Sequence, residues 1–254
     1  MNIGNIKNLL GIISKKEVCK MKEKGLYDKW WHMPSESEQK MEDSHGHFWE
    51  KVIERIIEKD RMQDYSVLDF GCNQGGFLRY LYDRYPFKEG VGTDLGIESV
   101  NVANERKGDL PLTYVATSSP EQWGQRFDLA VSTAVIYLIS DLQEHAQKIK
   151  GALKPGGVYY ASFTDYSNNP SLPQIREKIN NGGKLSMNLH SLDDIIGAFH
   201  GEGFEAAITR LTPQTFIPIA REERFFQSVR DRVQYEYEEG YLFRFTAPVG
   251  KDNS

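Results

Sequence analysis

From Ser66 to Phe163 the chain repeats one rhythm, a short run with β character followed by an amphipathic helical stretch. The β-type runs are SVLDF from Ser66, EGVGTD from Glu89, LTYVA from Leu112, FDLAVST from Phe127 and GVYYASF from Gly157. Each is short and mostly apolar, as a strand covered on both faces has to be. Between them lie GGFLRYLYDRY, IESVNVANER and DLQEHAQKIKGAL, the last halted by Pro155 and Gly156. Strands joined by helical crossovers build a parallel sheet with helices on its faces, so this order predicts an α/β, doubly wound architecture. Two later runs, FEAAITRL and GYLFRFTAP, bring the expected sheet to seven mostly parallel strands.

The flanks carry their own signals. Asp43 or Ser44 is expected to cap a helix that presents Phe48, Val52, Ile53 and Ile56 on one face. Ser191 to Asp194 form a capping box at the head of the helix continuing IIGAFHGEG. Residues 212–239 are too long for a hairpin turn and hold a charged helical segment from Arg221 to Tyr235, so they are expected to be an insertion that carries specificity. The chain thus divides into an N-terminal lid or extension, residues 1–43, and one domain, residues 44–254.

The chemistry is concentrated in Val67-Leu68-Asp69-Phe70-Gly71-Cys72-Asn73-Gln74-Gly75-Gly76-Phe77, a buried strand that breaks into a glycine-rich loop and then a helix. Glycine at such a turn permits positive φ and lets a ligand reach the backbone without meeting a Cβ. The next strand ends in Gly92-Thr93-Asp94, with Asp94 lying 23 positions after Gly71, where a carboxylate can accept both hydroxyls of a ribose. On these residues the chain resembles the class I S-adenosylmethionine-dependent methyltransferases, whose first motif is an acidic residue, any residue, then Gly-x-Gly-x-Gly. Asp69, Gly71 and Gly75 match it, and Asn73 stands at the middle glycine, a mild departure because Asn tolerates the left-handed region. The resemblance implies a Rossmann-like methyltransferase fold and S-adenosylmethionine as cofactor. It implies that Asp69, Gly71, Cys72, Asn73 and Gly75 cradle the methionine part, that Asp94 with Leu95 holds ribose, and that Thr117 and Ser118 line adenine. Thr133 and Ser132, ending the fourth strand, are expected to face the cleft, and Trp123 to stack on adenine or to pack in the core.

A nicotinamide-dinucleotide enzyme is the competing reading of a glycine loop. A pyrophosphate demands close backbone approach at the second glycine, which is Asn73 here, and Asp69 repels a diphosphate while suiting an ammonium and a sulfonium. The balance of 31 basic against 36 acidic residues gives no global field for nucleic acid, although Lys15, Lys16, Lys20, Lys22, Lys24 and Lys29 crowd the start. No apolar run approaches the length of a membrane span, and no export signal is legible. Cys19 and Cys72 are too few for a disulfide framework, and no metal spacing is visible, so a cytoplasmic enzyme without a metal is expected.

Methyl transfer from a sulfonium is an in-line displacement in which alignment and desolvation of the acceptor matter most. Tyr137 and His145 are the leading candidates for a general base, with Asp165 and His190 behind them. Tyr27, Trp30, Trp31 and His32, with His45, His47 and Trp49, are expected either to fold over the cofactor as a lid or to pack the N-terminal helix on the sheet. The run after the fourth strand lacks both an Asn/Asp-Pro-Pro-Tyr motif and a cysteine, which disfavours methylation of nucleic-acid bases and leaves a small organic acceptor, methylated at oxygen or nitrogen. Alternatives are an RNA or protein acceptor, or a binding module without turnover.

Overall fold

The computed structural model describes residues 25–32, 40, 42–43, 45–221 and 225–249. Helix α1 (Gly46–Glu54) and a 3-10 stretch, Ile57–Asp64, precede the repeating core. The core runs β1 (Ser66–Phe70), α2 (Gly76–Arg84), β2 (Glu89–Asp94), α3 (Ile97–Arg106), β3 (Leu112–Ala116), β4 (Phe127–Ser132), α4 (Leu142–Ala152) and β5 (Leu153–Thr164). Then follow α5 (Leu172–Gly182), α6 (Leu192–Gly201), β6 (Glu205–Arg210), α7 (Val229–Gln234) with a π turn at Tyr235–Glu239, and β7 (Gly240–Thr246).

The seven strands lie in the order β3-β2-β1-β4-β5-β7-β6. Every pair from β3 to β5 is parallel, and β7 runs antiparallel between β5 and β6. The expected doubly wound sheet is therefore present, with its switch point between β1 and β4. Because side chains alternate across a strand, Val67, Leu129, Val131, Val158 and Tyr160 pack on one face with α1 and α2. Leu68, Ala130, Tyr159, Ala161, Phe243 and Phe245 pack on the other with α4 and α6. Both layers are closed, which explains the near-continuous apolar runs.

Several local expectations are corrected. Helix α1 is N-capped by His45 without a side-chain bond, so Asp43 does not cap it, and Ser44 lies outside the described residues. The LKPGG stretch ends α4 but also opens β5, with Gly156 at φ 74° and a register shift opposite Phe127 and Leu129. Ser191 and Asp194 do form the capping box of α6. The helical part of the insertion is shorter than the residues from Arg221 to Tyr235, and Pro213 to Ala220 form no helix or strand.

Helix α5 was not legible as a helix, and it organises a third cluster in which Ile175, Ile179, Met187 and Phe226 meet Tyr137, Tyr166 and Tyr235. A buried polar latch ties this region to the insertion. Ser171 Oγ donates to Asp231 Oδ2 at 2.5 Å, and Asn169 Nδ2 donates to Glu239 Oε2 and to the Asp231 carbonyl. Among the described residues no helix is long and apolar enough to cross a membrane.

Candidate active site

The β1–α2 turn is shaped by backbone demands that few residues can meet. Gly71 has φ 81°, and a Cβ there would stand 2.5 Å from Val135 Cγ2. Gly75 has φ 76° at the N-cap of α2, where a Cβ would meet the Tyr114 ring, and its carbonyl accepts from Tyr114 Oη at 2.9 Å. Asn73 takes φ 46°, the left-handed conformation that asparagine tolerates. The Gly71 and Cys72 amides both donate to the Thr93 carbonyl, at 2.7 and 2.9 Å, which clamps the turn against the end of β2. Asp94 completes the clamp, its carboxylate accepting from the Asn73 amide at 2.9 Å and from the Gly96 amide at 2.7 Å.

The crevice so formed opens at the carboxyl edge of β1, β2 and β4, where ligands of open α/β sheets bind. It encloses about 1240 Å³. Asp69, Gly71, Cys72, Asn73, Asp94, Leu95, Thr117, Ser118 and Thr133 all line it, whereas Gly75 is turned beneath the loop against Tyr114. Thr117 Oγ1 accepts from the Ser119 amide and from Gln122 Nε2, so it also shapes its own turn. Ser132 is corrected: fully buried, it bonds Tyr159 Oη at 2.6 Å behind the strand, and Thr133 alone of that pair reaches the cleft. Trp123 packs edge-on against Phe127 at 6.3 Å and lies outside the cleft.

Asp69 is the electrostatic anomaly of the site. Its side chain is 1% exposed, and both carboxyl oxygens are buried without a hydrogen-bond partner. Burial, with the Asp94 charge behind it, pushes its pKa up to about 8. Asn73 Oδ1 is likewise buried and unmet. Burying polar groups without partners is costly, and such groups in a native fold call for a ligand that supplies donors. A ligand with a cationic amine and hydroxyls fits this set of acceptors. Cys72, beside them, has its thiol pushed up by burial and by Asp94, so it is a neutral wall and no nucleophile.

The proposed bases separate. Asp165 accepts from the Ser167 amide and His190 Nε2 contacts the Ile139 carbonyl at 2.7 Å, both outside the main cleft. Tyr137 and His145 line it. His145 Nε2 bonds Tyr159 Oη at 2.9 Å and its ring packs on Phe70 and Phe199. Burial lowers its pKa to about 3, which leaves a neutral imidazole in a structural network with Ser132 and Tyr159. Burial likewise raises the Tyr137 phenol, so it keeps its proton at neutral pH.

The segment from Tyr27 to His32 crosses the cleft as a strap. Tyr27 exchanges backbone bonds with Leu95 and Ile97 at one end, and His32 and Trp30 bond Gly182 and Lys184 at the other. Tyr27, Trp30, Trp31, His45, His47 and Trp49 line the crevice, while His32 does not. The lysines before residue 25 lie outside the described residues, and Lys29 pairs with Glu98 at 3.2 Å. In the far half of the cleft, Phe225, Phe226, Arg232 and Tyr235 come from residues 212–239, the insertion expected to carry specificity, whereas Tyr166, Ile175 and Ile179 were missed in the sequence. Among the described residues no group of three or more His, Cys, Asp or Glu is arranged to hold a metal.

Comparison with known proteins agrees with this geometry. The model of a family described as a methyltransferase domain matches residues 39–207, about two-thirds of the chain. A trans-aconitate 2-methyltransferase of Rhodopseudomonas palustris is 29% identical over 113 residues, 44% of this chain and 43% of that protein. A malonyl-[acyl-carrier protein] O-methyltransferase of Anoxybacillus flavithermus is 26% identical over 116 residues, 45% of this chain and 43% of that protein. The match thus spans less than half the length of these relatives. Among solved structures, a chain from the complex between the Haloferax volcanii Trm112 methyltransferase activator and a methyltransferase superposes with a TM-score of 0.70 at 22% identity, covering 83% of this chain and 93% of that one.

Proposed function

The chain belongs to the methyltransferase domain family, and from that premise we propose that it transfers the methyl group of S-adenosylmethionine to a small organic acceptor, at oxygen or nitrogen. The observation that carries this reading is Asp69, a buried carboxyl without a partner at the end of β1, one strand away from Asp94. When bound, S-adenosylmethionine supplies a methyl group already activated by its sulfonium.

The chain's own residues then have three tasks. Asp69 accepts from the ligand's ammonium, which replaces the proton that burial now keeps on it. Asp94, held in place by the Asn73 and Gly96 amides, accepts from the ribose hydroxyls, while Leu95, Thr117 and Ser118 flank the base. The Tyr27–His32 strap and the aromatic wall exclude water and align the acceptor, the main requirement of an in-line displacement. Tyr137 donates a hydrogen bond to the acceptor and holds its own proton throughout.

A cleft of about 1240 Å³ exceeds the roughly 300–1,000 Å³ of a single small-ligand site, which leaves room for a second molecule beside the donor. The names of two relatives, which act on trans-aconitate and on malonyl-[acyl-carrier protein], support an organic acceptor. The test is turnover of the purified chain with S-adenosylmethionine against a panel of small acids, phenols and amines, read as S-adenosylhomocysteine. Formation dependent on one class of acceptor supports the reading. Tight donor binding with no turnover on any acceptor would leave a binding module instead.

A further inference from the structure

The far half of the cleft has a charge pattern that selects among acceptors, and we propose that it takes a carboxylate-bearing acceptor with an apolar body, anchored by Arg232. This rests on the reading of that half as the acceptor side. The apolar body is met by Ile175, Ile179 and Phe226 and by the Tyr166–Tyr235 stack, whose rings lie 5.8 Å apart and 10° from parallel.

Aromatic walls of this kind suit either an apolar group or a cation. Here the protein's own cations already occupy their faces. The Arg232 guanidinium stands 5.4 Å from the Phe226 ring and 5.5 Å from the Tyr235 ring, and Lys178 Nζ lies 3.8 Å over Phe225. A cationic acceptor entering beside them meets repulsion, and an anionic one meets attraction.

Among the described residues, two cations of this half share a single carboxylate. Glu236 is shared between Lys51 Nζ at 3.0 Å and Arg232 Nη2 at 2.7 Å, so one carboxylate answers two cations. Three other carboxylates on the walls pair with cations of their own: Glu42 with Arg79, Glu50 with Arg84 and Glu144 with Lys148. Arg232 Nε is buried with no hydrogen-bond partner, although the side chain as a whole keeps 25% of its exposure and lines the cleft. A guanidinium N–H left unmet, on a side chain that shares its carboxylate with Lys51, is the complement of a carboxylate oxygen, and the planar guanidinium gives that contact direction.

Three probes of one shape and different charge test this: 3-phenylpropionate, 3-phenylpropanamide and 3-phenylpropylamine, each titrated calorimetrically into the full chain with S-adenosylhomocysteine present. The carboxylate is expected to bind about tenfold tighter than the amide, with the amine weakest. Arg232→Gln should erase that preference and Arg232→Lys should keep part of it. Glu236→Gln should strengthen it severalfold, an opposite change that general loosening of the fold would not produce. Equal binding of the three probes, binding of none, tighter binding of the amine, or a preference untouched by Arg232→Gln overturns the proposal. Titration of the unmodified chain with S-adenosylhomocysteine alone separates the two readings. If that ligand binds and no carboxylate preference exists, only the acceptor inference falls. If it does not bind while the preference persists, the anion site stands and methyl transfer falls.

Discussion

Asp94, one position past the β2 partner of Phe70, helps keep the Asp69 carboxyl protonated to about pH 8, with burial as the larger cause. In the unfolded chain Asp69 releases its proton near 3.8. Between these values the folded state holds the extra proton, so its stability falls as pH rises through that window and stays lowered above it. The ligand-free site is therefore strained at neutral pH, and a bound cation relieves it.

Replacing Asp69 by Asn keeps the shape and removes the titration. The Asp69→Asn chain without ligand should be more stable than the native one at pH 8.5, by ~2–4 kcal/mol, with the difference vanishing below about pH 4. Urea unfolding at both pH values measures it. Donor affinity should move the other way and fall about tenfold or more, since the ammonium loses a charged partner. Parallel stability curves for the two proteins would remove the assigned burden from Asp69.

Asp94→Ala should weaken S-adenosylhomocysteine binding by roughly 1.5–3 kcal/mol, because the ribose hydroxyls lose a charged acceptor. The Asn73 and Gly96 amides lose their partner as well, so the loop itself loosens. Calorimetry reads the change, and an affinity equal to that of the native chain refutes the assignment.

A methyl group at Gly71 meets both a positive φ of 81° and Val135 Cγ2. Gly71→Ala should cost about 1–3 kcal/mol in thermal unfolding. Combining it with Val135→Ala should recover the steric part and leave the backbone part. Full recovery would show that conformation at this turn matters little.

His145 titrates near 3 in the folded protein against 6.5 ordinarily. Below 6.5 the unfolded chain takes up a proton that the native imidazole refuses, so stability present at neutral pH declines as pH drops, by at most about 1.4 kcal/mol per unit. His145→Gln should flatten this acid limb in urea unfolding. The pH profile of kcat between 6 and 9 should keep its shape in that variant. Loss in that variant of a fall in kcat on the acid side would make His145 a base after all.

The strands of the core were readable because burial on two faces leaves a local mark, unbroken apolar runs such as Val67-Leu68 and Ala130-Val131. The turn was readable too, since left-handed backbone at positions 71 and 73 favours glycine and asparagine, the residues the sequence shows there. Helix α5 left a weaker mark: its apolar face toward the cleft is little more than Ile175 and Ile179, and Pro170 and Pro173 read as loop. Arg232 sits in a charged stretch that resembles a solvated face, and only the tertiary fold sets it against Phe226 and Tyr235. Ser132 pointed away from the cleft because strand register, which no short run reveals, gave that side to Tyr159.

The central claim is that Asp69 and Asp94 hold a cationic nucleoside at the bend after β1. Titration of the full chain with S-adenosylhomocysteine at pH 7, in two buffers of different ionisation enthalpy, tests it most directly. One molecule should bind per chain with release of up to one proton, and the release should disappear in Asp69→Asn, because the ligand's ammonium displaces the proton held there. Absence of binding, together with binding of a nicotinamide dinucleotide at the same loop, would contradict the account.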